Sequence, residues 1–329
     1  MTSKWRKWIL ILVGVAIAIA LFVLLTRERE PSYQGQSLTQ WLVKGRAANF
    51  TLLSPEQDEA IRHMGTNALP FLVKWVRDDS SGSDIKSLVS KLPASITPWS
   101  IRRWAGDDSK KTRAIAAAFA FVQLGDEAQS AIPELTTVMT NSAATNASKL
   151  AVIALAGIGK AAIPALTAQL ANTNAPNRRE VAYSFGWSPS LRTNAAFATS
   201  AVPLLVGCLN VPHSPIGRAA IMSLGQMAEH DHSQSSLVVP ALTNCLNGKN
   251  PHDLRIEVAS ALGNYGVSAS NAIPSLLVEI KSPDQLLRDT ASNALLKIAP
   301  WEVTSFPTLV PIDRARPHSA PPRLRGESP

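Results

Sequence analysis

The sequence predicts an all-α protein, an α-solenoid of short helical repeats that follows an N-terminal transmembrane helix. Three observations predict this class. Prolines preceded by an apolar residue recur at Pro133, Pro164, Pro203, Pro240 and Pro274, with outliers at Pro70 and Pro307. From Pro133 onward the intervals are 31, 39, 37, 34 and 33 residues, the period of a helical repeat. Between the prolines, alanine-rich apolar runs open on Arg or Lys and close near glycine. Ahead of all of this, Trp8 to Leu25 reads WILILVGVAIAIALFVLL without a charge.

The first element, residues 1–7, is a basic tail carrying Lys4, Arg6 and Lys7. The second, residues 8–25, shows no polar face, whereas a buried helix of a soluble domain would normally show one. About 18 residues rising ~1.5 Å each give roughly 27 Å, enough for a bilayer core. Ala16, Ala18 and Ala20 lie inside the apolar run, and the exit through Leu-Phe-Val-Leu-Leu-Thr offers no small-residue cleavage site, so the segment reads as a retained signal-anchor. The leading positive charges, with Trp5 and Trp8 suited to headgroups, keep the N-terminus cytoplasmic and export the rest. The expected location is the cytoplasmic (inner) membrane, single-pass, although Arg27, Arg29, Lys44 and Arg46 pull against that orientation. Residues 26–54 read as a linker.

The repeat region runs over 55–309. Its alanine-rich runs are Arg113 to Gly125, Lys149 to Gly159, Arg179 to Gly186, Arg218 to Gly225 and Arg255 to Gly263, with a sixth, Arg288 to Ala299, lacking the glycine. Apolar residues three and four apart make one face of a helix. Glycine is expected to end each helix in a left-handed conformation, and proline to open the next, where its missing N–H costs nothing. A lone pair cannot bury its apolar face, so pairs stack, and alanines let backbones approach. The stretch near 78–108, with Pro93, Pro98, Trp99 and Trp104, breaks the pattern as an irregular insertion. Residues 310–329, rich in proline and arginine, read as a disordered tail.

The pattern Arg-x-x-Ala-x-x-Ala-Leu-Gly followed by Ala-Ile-Pro-x-Leu, clearest at Lys149 to Leu166 and Arg255 to Leu276, resembles the HEAT family, in particular the short HEAT-like repeats associated with bilin lyases. The stretch Tyr33 to Leu42 is similar to the leader of membrane-anchored bacterial HEAT proteins. The resemblance implies a binding scaffold for a protein or peptide. A bilin-lyase-like enzyme or enzyme accessory is the alternative it leaves open, and nucleic-acid binding is a third.

Composition bounds these choices. The 329 residues carry a formal charge of +8, but the basic residues crowd both ends and the middle is close to balanced. Arg113, Lys149, Arg179, Arg218, Arg255 and Arg288 fall in register. Such a row either grips phosphates or forms a structural ladder, each cation meeting a nearby acid or carbonyl, and Asp253 near Arg255 and Asp284 near Arg288 favour the ladder. Export past a membrane also removes most nucleic acid. Cys208 and Cys245, each five residues after a proline, occupy equivalent positions and read as free core thiols.

No chemistry of the chain's own is expected: no catalytic residue, cofactor or metal site. Gly157-Ile158-Gly159-Lys160 lacks the first glycine and the Ser or Thr of a phosphate loop, having Ala154 and Ala161 there. Glu229-His230-Asp231-His232 sits in a polar turn rather than on a fixed scaffold. The His-Glu dipeptides of HEAT-like iron hydroxylases do not occur. Trp75, Trp99, Trp104 and Trp187, with Trp41, are the candidate partner contacts, because aromatics dominate binding hot spots.

Overall fold

The computed structural model describes residues 29–44, 53–78, 109–141, 145–192 and 195–301. The expected transmembrane segment at 8–25, the expected insertion near 78–108 beyond Asp78, and the expected disordered tail at 310–329 therefore lie outside the described residues. Among the described residues no helix is long and apolar enough to cross a membrane. They form an all-helical array with one small hairpin, divided into two compact bodies. The first runs up to Ser184 and includes Ser188–Asn194; the second comprises Phe185–Trp187 and everything from Ala195.

The first body begins where a linker is expected. Strands β1 (Ser32–Tyr33) and β2 (Gln36–Ser37) pair antiparallel across Gln34 and Gly35, whose φ values of 49° and 74° suit a tight hairpin. Helix α1 (Leu38–Lys44) follows, with Leu38, Trp41 and Leu42 buried. The Trp41 Nε1–H donates to the Tyr33 carbonyl at 3.0 Å, and the Gln57 amide donates to the Trp41 carbonyl at 2.7 Å. Where a linker is expected, residues 32–44 instead fold and dock, because Leu38, Trp41 and Leu42 fall three and four apart on one face of α1.

Helix α2 (Pro55–Met64) starts on a capping box: the Ser54 hydroxyl accepts from the Gln57 N–H, and the Gln57 side chain accepts from the Ser54 N–H. Then come α3 (Leu69–Arg77), α4 (Ser109–Leu124), α5 (Ile132–Thr140), α6 (Thr145–Ile158), α7 (Ile163–Ala171), α8 (Arg178–Trp187) and α9 (Pro189–Arg192). Helices α4 and α6 stack in one row, α3 packs on α5 in the other, and α5 and α7 both pack on α6. Helix α8 contributes its first residues to this body and Phe185–Trp187 to the second.

In the second body, α10 (Ala195–Cys208), α12 (Ser235–Cys245) and α14 (Ile273–Glu279) alternate with α11 (Pro215–Met227), α13 (His252–Asn264) and α15 (Gln285–Ile298). Helices α11, α13 and α15 stack in sequence, and each of α10, α12 and α14 packs on the helix that follows it. This is solenoid-like packing within each body.

The prolines and glycines divide into two sets. Pro70, Pro133, Pro164 and Pro274 stand in the first turn of α3, α5, α7 and α14, each after a 3-10 turn. Pro203 and Pro240 instead lie inside α10 and α12. The longer connections there have become helix, so the proline no longer marks its start. Gly125 and Gly159 end α4 and α6 with φ of 50° and 87°. Gly186, Gly225 and Gly263 do not end their helices in a left-handed turn. They lie within α8, α11 and α13 where a neighbouring backbone comes close: a Cβ on Gly186 would lie 2.6 Å from the Ser223 Cα, and one on Gly225 2.9 Å from the Ala261 Cβ.

Candidate functional site

The in-register cations are engaged by their surroundings in different ways. Arg113 holds its guanidinium 4.9 Å from the Trp75 ring centroid. Lys149 Nζ is 3.7 Å from the Glu180 carboxylate, and Arg179 reaches the same carboxylate at 3.0 Å. Arg218 donates to Asp253 at 2.7 Å and also to Glu257, thirty-five and thirty-nine residues further on, in the next repeat. Those bonds raise the Arg218 pKa, and the bond from Arg218 is the main reason the Asp253 carboxyl is held below the usual carboxylate range. Arg288 donates to the carbonyls of Ser282 and Pro283 at 2.7 and 2.8 Å.

Arg255 differs from the rest because it is buried. Its Nη1 donates to both Glu279 oxygens at 2.9 and 2.7 Å, and the two residues are 8% and 3% exposed. Buried ions persist only when paired and hydrogen-bonded. The fifth residue after each repeat proline is buried throughout: Trp75, Val138, Gln169, Cys208, Cys245 and Glu279. Glu279 is the charged member of that column, and a charge in register with two cysteines is the signal in the sequence that would have found the pair. Gln169, the other polar member, donates to Asn177 Oδ1 at 2.6 Å, while the Asn177 amide donates to the Met139 carbonyl and to Ser148 Oγ.

The same column corrects the reading of Trp75 as an exposed anchor: it is 6% exposed, in the core register, beside Phe71 and beneath Arg113. Trp41 is buried as well. Trp187 is half-buried at the end of α8. Trp99 and Trp104 lie outside the described residues. Trp301, which the sequence did not single out, is 61% exposed. Cys208 and Cys245 are buried and form no disulfide, and burial raises the Cys245 thiol pKa.

The glycine-lysine turn and the Glu229–His232 stretch have structural roles. A Cβ on Gly157 would lie 2.7 Å from the Val122 backbone nitrogen, so the loop-like glycine faces a packed helix rather than an anion, and Lys160 is exposed in the turn. Asp231 accepts from the Ser233 N–H at 2.8 Å, and the His232 ring lies 5.8 Å from that of Tyr265. Tyr265 donates to the Leu224 carbonyl at 3.1 Å, and its pKa is pushed up by burial and by Asp231. Among the described residues, no three His, Cys, Asp or Glu side chains are grouped as metal ligands.

No protein-family model matches the chain, and no curated protein matches it. Solved structures similar to it include two crystal structures. The crystal structure of an engineered protein is 20% identical with a TM-score of 0.41, over 80% of this chain and 79% of that one. The crystal structure of a Kap121p mutant is 13% identical with a TM-score of 0.38, over 87% of this chain. The match spans only 40% of the Kap121p chain. The chain is a helical-repeat protein on its own periodicity and packing, independently of these distant likenesses.

Proposed function

We propose that the chain is a membrane-anchored scaffold of HEAT-like repeats whose exported surface binds another protein or a peptide, with no catalysis of its own. The apolar run at 8–25 supplies the anchor in this reading. The observation that carries it is the state of the repeat cations. A phosphate-gripping stripe needs cations directed at a ligand, whereas Arg218, Arg255 and Arg288 are committed to Asp253 and Glu257, to Glu279, and to backbone carbonyls. Arg218 and Arg255 tie one helix to another, Arg288 fixes the turn ahead of its own helix, and together they leave a mixed polar surface of repeated geometry, which suits an extended partner. Trp187 is a candidate contact within that surface.

Crosslinking and affinity purification of the intact membrane protein test the reading. The expected result is one reproducible protein adduct that survives raised salt, with the repeats cleaved by protease added from the outer side. Nucleic-acid binding that falls steeply with salt, or repeats shielded from outside protease, would overturn it.

A further inference from the structure

The hairpin and α1 are joined to both ends of the chain around them. At the outer end, the Thr39 N–H and hydroxyl both donate to the Glu30 carboxylate, at 3.1 and 2.8 Å, and the Leu38 N–H donates to the Pro31 carbonyl at 3.0 Å. At the inner end, Tyr33 donates to Glu59 at 2.9 Å and stacks its ring 4.5 Å from that of His63, while Gln57 holds the Trp41 carbonyl. Leu38, Trp41 and Leu42 seal the joint. The chain is thus tied to the first repeat from Glu30 onward.

From this clamp we infer that residues 29–44 form a rigid collar that sets the first repeat directly against the lipid headgroups, so that the array is not free to swing on a linker. The inference rests on the membrane-anchored reading. Its reach follows from covalent geometry: five residue steps separate Leu25, the last apolar residue, from Glu30, and extended chain covers at most roughly 17 Å in that distance. The headgroup zone takes up about 6 Å of it. Glu30, where the clamp begins, therefore stands within roughly 11 Å of the outer headgroup boundary. A flexible linker over 26–54 would instead have a root-mean-square span of roughly 30 Å. The partner is met at the membrane surface, and the natural one is a protein or peptide that itself sits in, or emerges from, the same bilayer.

The test uses full-length protein in liposomes. A donor dye is placed on Glu56→Cys, exposed on α2, with short-range acceptors on the lipid headgroups; the native cysteines are buried and stay unlabelled. The parent should transfer energy efficiently, and a 30-residue Gly-Ser spacer between Thr26 and Arg27, adding a span of roughly 30 Å, should cut the transfer by about half or more. If parent and spacer variant transfer equally while both resist alkaline carbonate extraction, the collar is wrong and the anchor stands. If carbonate strips the parent from the liposomes, the anchor reading fails and takes the collar with it.

Discussion

The end of α6, Ala154-Leu-Ala-Gly157-Ile-Gly159, and the later part of α11, Met222-Ser-Leu-Gly225, both bring an apolar run to a glycine, yet glycine serves opposite ends in them. At Gly159 the backbone needs a φ of 87°, and the glycine is there for its conformation. At Gly225 the backbone is helical, and the glycine is there because Ala261 of the next helix occupies the place of a side chain. One glycine stops a helix; the other lets two helices touch. A repeat pattern thus preserves a residue while its physical duty changes, and local spelling alone does not tell which duty applies.

Substitutions separate the two duties, and the largest effect belongs to close approach. Gly186→Val, whose Cβ would stand 2.6 Å from the Ser223 Cα, meets backbone that cannot swing aside. We expect a loss of about 3 kcal/mol or more, read as a collapse of the urea midpoint. The buried ion pair comes next. Glu279→Ala leaves Arg255 charged and unpaired, and should cost about 3 kcal/mol, the low end for breaking a buried pair because Arg255 lies near the surface, whereas the double change Arg255→Met with Glu279→Leu should restore most of it. A double variant as unstable as the single one would show that the pair contributes more than charge compensation.

The conformational duty is milder. Gly159→Ala places a Cβ in the left-handed region and 2.8 Å from the movable Ser190 side chain, and thermal unfolding should report a loss of about 1–2 kcal/mol. A loss as large as that of Gly186→Val would erase the distinction drawn above. The smallest effect is expected at the exposed ladder, where Arg218→Ala should change stability by less than about 1 kcal/mol and less still in high salt. Its signature is in pH. Asp253 has a lowered folded pKa, so its share of stability is present above the ordinary aspartate pKa and fades as pH falls through the folded value. In Arg218→Ala that acid-side decline should shrink, visible in stability measured from pH 6 down to pH 2.

The helical repeats were legible because proline and the Arg-to-Gly runs recur in phase, and phase survives local irregularity. Three features were not. Pro203 and Pro240 look like helix starts because proline tolerates the first turn, but whether a longer connection folds into helix ahead of them depends on packing that no single repeat encodes. Residues 29–44 are too short to show a period, so their docking through Trp41 and Gln57 was hidden. The buried partner of Arg255 was readable in principle, since Glu279 falls five residues after Pro274, but only by laying the repeats over one another and asking which column is buried. The candidate contacts fared worse because aromatic residues serve core and surface alike: Trp75 belongs to that buried column.

The pairing of Arg255 with Glu279 also shapes how this sequence can drift. Either residue changed alone leaves a stranded charge, so the neutral routes out of the pair pass through a disfavoured intermediate, while the cysteines in the same column can exchange for other small apolar residues one step at a time. Two equivalent positions of one repeat array are therefore constrained differently, one able to change singly and one only in concert with a site twenty-four residues away.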